Sequence, residues 1–271
     1  MSHLKSSLGI LSKIAEATQV RVERERKSYS TSRRNEILGM EPSATEAEIR
    51  SSFLAEKGKA VIAEVKLASP SQGEIAEGMD PVLVADTYLR NGATALSILT
   101  EPDFFKGEIT YLRRVRETFP ESKLLMKDFF IDPVQLYQAK AAGANFFLVI
   151  MALLERGFAA DLIDQGQSMG LIPLVEVHNF EELEEALSLD ARWVGVNNRN
   201  LKTMKIDLNT SLSLIRHLPQ EVIAISESGL SRAADIQRLK DAGFGGYLIG
   251  TSLMVTGDPG TALADLLKGI S

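Results

Sequence analysis

Glu64 and Lys66 stand two residues apart at the end of an apolar run, Ala60-Val61-Ile62-Ala63. Side chains alternate along an extended strand, so an acid and a base at that spacing share one face. On a core-facing side the pair needs partners, because unpaired charge is expensive to bury. Other apolar runs end in the same manner. Ser97, Thr100 and Glu101 close one, Lys127 and Asp128 the next, and Glu176 another. Asn197, Asn198 and Arg199, then Glu227 and Ser228, then Gly250, Thr251 and Ser252 close the last three. Lysines and glutamates gathered at one place shift each other's pKa and can give and take protons. The same groups can also form a structural ion-pair network, so polarity alone does not decide between the two. Two turns add anion chemistry. In Glu227-Ser228-Gly229 and Ile249-Gly250-Thr251-Ser252, small residues let backbone N–H groups approach an anion. A short helix over 252–255 would aim its N-terminus at the same point. Lys66 and Ser69 could complete such a phosphate site.

The elements that must hold these residues are legible as alternation. Strand-like apolar runs lie at 61–65, 95–99, 124–126, 145–150, 172–177, 193–196, 222–225 and 247–249. Helix-like segments follow each of them, at 81–91, 110–118, 133–142, 154–169, 180–187, 208–216, 232–242 and 259–268. Eight strand–helix units in roughly 210 residues predict a parallel sheet closed into a (β/α)8 TIM barrel, an α/β fold whose strand C-termini form the active rim. Gly92, Gly143, Gly170 and Gly243 each follow a helical segment, where a left-handed C-cap is favourable. The first strand is followed by no G-x-G-x-x-G, which disfavours a dinucleotide-binding sheet. Ahead of the barrel, 8–27 reads as a helix, 29–35 as a loop or a fraying helix, and Ser43 or Thr45 as the cap of another helix anchored by Phe53 and Leu54. The expected division is a helical extension over 1–58 and a catalytic barrel over 59–271. The extension would cap the barrel and wall the pocket, or else mediate self-association.

The chain has 271 residues, no cysteine, three scattered histidines and a formal net charge of −6. Thiol chemistry and disulfides are excluded, and a histidine-based zinc site is disfavoured. The acidic balance argues against a general nucleic-acid binder. No apolar run approaches a membrane span, and no signal-like N-terminus is present, which together fit a cytoplasmic protein.

Five motifs occur in order: Glu64-Val65-Lys66-Leu67-Ala68-Ser69-Pro70-Ser71, Met126-Lys127-Asp128-Phe129, Leu174-Val175-Glu176-Val177, Asn197-Asn198-Arg199-Asn200-Leu201 and Ser226-Glu227-Ser228-Gly229. Together they resemble the indole-3-glycerol phosphate synthase family of tryptophan biosynthesis over nearly the whole chain. Leu67 and Gln72 depart from it, standing where basic residues are frequent in the family. The resemblance implies conversion of 1-(2-carboxyphenylamino)-1-deoxyribulose 5-phosphate to indole-3-glycerol phosphate, with loss of CO2 and water. It implies no metal or organic cofactor, and no obligate protein partner. By resemblance Lys127 is the acid for ring closure and Glu176 the base for dehydration, with Lys66 or Lys127 as the acid of that second step. Glu64 would orient Lys66, and Asn197 and Glu227 would position substrate hydroxyls or the lysines. Ser69, Arg199, Ser228, Gly229, Gly250 and Thr251 are the substrate and phosphate candidates. Leu99, Phe104, Phe129 and Leu201 are candidates for the wall of the aromatic ring. The long first loop, 67–80, would close over substrate. Two rivals remain open. One is another phosphate-binding barrel enzyme, such as a sugar-phosphate isomerase. The other is a non-catalytic phospho-ligand binder.

Overall fold

A computed structural model describes residues 3–5, 9–70, 72–76 and 78–271. Leu8 and Ser71, named above in a helix and a motif, lie outside these. Eight parallel strands follow one another around a closed barrel: β1 (Ala60–Val65), β2 (Ala95–Leu99), β3 (Leu124–Lys127), β4 (Phe146–Ile150), β5 (Ile172–Val177), β6 (Trp193–Asn197), β7 (Ile223–Glu227) and β8 (Gly246–Ile249). β8 closes on β1, pairing Ile249 with Ala63. The strands are buried along nearly their full length, as strands walled by helices outside and side chains inside must be. They therefore read as continuous apolar runs broken only where a polar side chain enters the barrel.

Eight helices cover the barrel: α4 (Pro81–Arg90), α5 (Ile109–Thr118), α6 (Val134–Ala142), α7 (Arg156–Ser168), α8 (Phe180–Ser188), α9 (Asn209–Leu214), α10 (Ala233–Ala242) and α11 (Pro259–Lys268). Gly143 and Gly243 end α6 and α10 at φ 85° and 113°, left-handed positions where a Cβ would be strained.

Among the described residues, three α-helices precede the barrel: α1 (Ile10–Glu25), α2 (Thr31–Leu38) and α3 (Glu46–Ala55). The segment expected as loop or fraying helix is α2 itself. Ser30 caps it by accepting from Arg33 N, and Ile37 is fully buried, so one cap and one apolar anchor suffice for a segment that otherwise reads as polar. The three helices reach both ends of the barrel. At the N-terminal end, α3 inserts Phe53 against Phe146 and Trp193, with ring centroids 6.3 and 5.0 Å away, and Glu46 accepts from the Trp193 indole. At the opposite end, Arg21 of α1 bonds the Asp128 carboxylate at 2.7 Å, just beyond β3. Leu11 and Ala15 of α1 and Phe53 of α3 join the same apolar core as the barrel strands.

Candidate active site

The strand C-termini open into a cavity of about 420 Å³, roofed by Ile10, Leu11 and Ile14 of α1. The strand register brings the charged residues to one level. Glu64 lies beside Ser97, Leu99 beside Lys127, Ile150 beside Glu176, and Asn197 beside Glu227. Period-two alternation turns these side chains inward, where the rim cavity lets them pair with one another.

Lys127 is the hub. Its Nζ lies 2.8 Å from Glu227 Oε2 and 3.2 Å from Glu176 Oε2. Burial works to deprotonate this amine. The negative fields of Glu227, Glu176 and Glu64 outweigh it, so the ammonium is held more firmly than an ordinary lysine's. The two carboxylates are driven apart. Burial pushes Glu176 up, but Lys127, His178 and Asn197 pull it well below the usual carboxylate range. Burial pushes Glu227 up to about 7, assisted by the charges of Glu176 and Glu64 and resisted by Lys127. Lys127, His178 and Asn197 thus favour the ionised form of Glu176, while burial and like charge favour the protonated form of Glu227.

A second pair stands across the cavity. Lys66 Nζ is 2.5 Å from Glu64 Oε1, and Ser97 Oγ donates to Glu64 Oε2 at 3.3 Å. Gly250 makes room for this carboxylate, since a Cβ there would lie 2.6 Å from Glu64 Oε1. Gly195 does the same for Glu227, whose Oε1 would meet an added Cβ at 2.1 Å. Asn197 accepts from Arg199 N at 3.0 Å and bonds Glu176, tying β6 to β5.

The anion-side turns have the backbone that the sequence suggests. Ser228 and Gly229 are both left-handed, at φ 68° and 79°. A single helical turn, Thr251–Met254, starts after Gly250, one residue before the expected position. Ser69, Arg199, Ser228, Gly229, Gly250 and Thr251 all line the cavity, as do Leu99, Phe129 and Leu201. Phe104 does not line it, and Phe105 does. Pro102–Phe105 is one helical turn, in which neighbouring side chains diverge by about 100°. That turn presents Phe105, whose ring centroid is 6.0 Å from that of Phe129.

Several polar rim residues prove to be builders. Glu101 caps the same turn, accepting from Asp103, Phe104 and Phe105 N–H groups at 2.8–3.0 Å. Asn198 donates to Ser226 Oγ and to the carbonyls of Glu227 and Ser228, and accepts from Ser211 N, fixing the turn after β7. Asp128 accepts from Arg21, Thr100 Oγ1 and its neighbour's N–H. The wall expected from the N-terminal extension is supplied by Ile10, Leu11 and Ile14, whereas Arg21, Phe105 and His178 were not among the expected residues. Only the adjacency of His178 to the Glu176 motif gave a signal for any of them.

Residues 11–266 match the family model described as indole-3-glycerol phosphate synthase. Among curated relatives of that name, the one from Ruminiclostridium cellulolyticum is 40% identical over 261 residues, covering 95% of this chain and 98% of its own. The one from Desulfotalea psychrophila is 44% identical over 219 residues, 81% of this chain and 84% of its own. Among solved structures, 3-hexulose-6-phosphate synthase from Salmonella typhimurium superposes with a TM-score of 0.64 at 10% identity, covering 78% of this chain and 98% of that one. At that identity the likeness speaks for the barrel alone.

Proposed function

Because the chain belongs to the indole-3-glycerol phosphate synthase family, carboxy-lyases of tryptophan biosynthesis, we propose how its rim divides the labour of that reaction. The substrate phosphate sits against Ser228, Gly229, Gly250 and Thr251, with Ser69 and Arg199 beside it. The carboxyphenyl ring lies against Leu99, Phe105, Phe129 and Leu201, under the roof of Ile10, Leu11 and Ile14. This arrangement lays the reacting ribulose carbons across the two lysines.

Ring closure joins the carboxylate-bearing ring carbon to the ribulose carbonyl carbon, and the carbonyl oxygen takes a proton from Lys127. A firmly held ammonium proton suits this step, because the acceptor is an alkoxide and far more basic than water. The bond to the carboxylate then breaks, CO2 leaves, and its electron pair restores the aromatic ring. In the last step the new hydroxyl departs as water with a proton from Lys66, or from Lys127 after solvent has reprotonated it, while Glu176 accepts the proton lost from the ring. Once Lys127 turns to the substrate, Glu176 loses one of the two cations that hold its pKa down, and its basicity rises when it is needed.

The observation that carries this reading is one buried lysine shared by two buried carboxylates, Glu176 and Glu227, in the same cavity as the Ser228-Gly229 turn. The test is to supply the carboxyphenylamino sugar phosphate to purified protein and follow indole fluorescence. Emission that rises with turnover is the expected result. A ligand bound without indole formation, or isomerised with its carboxylate retained, would favour one of the rival barrel functions.

A further inference from the structure

His178 lies two residues beyond Glu176, just past the end of β5, and only 9% of its side chain is exposed. Its Nδ1 is 3.0 Å from Glu182 Oε2, and its Nε2 is 3.3 Å from Glu176 Oε1. The Nε2 approach misses hydrogen-bond geometry, and this buried atom has no other partner among the described residues. Both ring nitrogens thus face carboxylate oxygens. A carboxylate accepts and does not donate, so this setting favours a hydrogen on each nitrogen, an imidazolium.

Glu182 is itself immobilised. The His178 backbone N–H donates to its Oε2 at 2.8 Å, and Asn179 Nδ2 donates to its Oε1 at 2.7 Å. Asn179 in turn caps α8 by accepting from Glu182 N. This reciprocal cap needs the Glu182 carboxylate and backbone groups, not the imidazole. The ring is the part that reaches on toward the active site.

We propose that His178 is a positioning residue for Glu176, an imidazolium strapped by Glu182 that pins Glu176 Oε1 and leaves Oε2 to face Lys127 and the substrate. This inference rests on the assignment of Glu176 as base. While Lys127 holds Oε2, the carboxylate is fixed at both ends. When Lys127 turns to the substrate, His178 is the cation that remains. It keeps the carboxylate ionised and stops it from swinging away from the proton it must take. The charged groups facing the ring are Glu176 from β5 and Glu182 from α8, and they also push its pKa up to about 10 against the effect of burial.

Three measurements test this together. In ¹⁵N-histidine-labelled protein at pH 8, both ring nitrogens of His178 are expected to be protonated; a neutral tautomer would overturn the proposal. His178→Leu is expected to lower kcat by at least about tenfold with KM within about twofold, because aim at the transition state is lost rather than ground-state binding. His178→Gln keeps a donor near the Nε2 position and is expected to recover most of that loss. Without the cation, its acid limb in kcat should move up by about one pH unit. If His178→Leu fails to fold, Glu182→Gln replaces it, with the same upward movement of the acid limb expected. Parent kcat and an unmoved acid limb in folded variants would refute the strap. Glu176→Gln is measured alongside. If that variant turns over normally, the base assignment falls; if it is slow while the His178 variants match the parent, only the strap falls.

Discussion

Gly195→Ala is the smallest change that tests whether the Lys127 cluster is tuned by its geometry. Gly195 is the partner of Glu176 in the register between β5 and β6, and a Cβ added there would lie 2.1 Å from Glu227 Oε1. Real Cβ atoms do not approach within 3.0 Å, so the carboxylate must withdraw by about 1 Å. Among the described residues Glu227 Oε1 has no hydrogen-bond partner to hold it, so the side chain yields rather than the strand. Withdrawal breaks the 2.8 Å contact to Lys127 and leaves the lysine to Glu176 alone. Misplacement by about 1 Å at a catalytic group commonly costs about 100-fold in rate. The overpacking itself costs about 1–3 kcal/mol of stability. The assay is initial rate by indole fluorescence at saturating substrate, with a thermal melt to confirm folding. Gly157→Ala is the control: Gly157 is an exposed residue of α7 with nothing within 4 Å of its added Cβ, and its variant should keep the parent rate and gain slightly in stability. A folded Gly195→Ala protein with parent kcat would refute the claim that Glu227 sets the position of Lys127.

Glu101→Ala should cost about 1–2 kcal/mol, because three N–H groups of one turn lose their acceptor, and should affect rate mainly through the placement of Phe105; denaturant unfolding measures the first part and KM the second. The His178 proton makes stability depend on pH with a definite sign. Its folded pKa, about 10, lies above the unfolded value of about 6.5, so its stabilisation is complete below about pH 6.5 and is lost as pH rises through 10. The melting-temperature gap between the parent and His178→Gln should therefore be widest near pH 6 and close toward pH 10.5. In the first loop, Ala68–Ser69 pairs with Gly73–Glu74, Lys106 forms an ion pair with Glu74, and Pro70 and Gln72 line the cavity. Bound product should slow protease cleavage of 67–80 severalfold if this loop closes over ligand; an unchanged cleavage rate would count against closure.

The barrel was legible because each strand is an apolar run and Gly92, Gly143, Gly170 and Gly243 mark four of the helix ends. Those patterns arise from burial and backbone geometry, which act locally. The charged rim was legible for a related reason: Glu64, Lys66, Lys127, Glu176, Asn197 and Glu227 interrupt apolar runs at strand ends, where a polar or charged side chain is costly to bury without a partner or a ligand. What could not be read was direction. Glu101 and Asn198 occupy rim positions as polar as those of Glu176 and Asn197, yet they turn to cap and staple neighbouring turns. Phe104 and Phe105 are chemically identical, and only the start of the helical turn at Pro102 decides which one faces the cavity. Arg21 was invisible as a rim residue because its partner, Asp128, is 107 positions away. No local pattern encodes that contact. The α2 helix was underestimated because its polar composition conceals one well-buried isoleucine and a serine cap.

In the proposed mechanism Lys127 supplies the proton for ring closure in a cavity that binds the sugar phosphate by other groups. Single-turnover fluorescence with Lys127→Ala in excess over substrate tests it most directly, paired with a titration of product binding. No indole emission above the blank is expected, while the folded variant still binds indole-3-glycerol phosphate. Emission at the parent's rate from that same protein would contradict it.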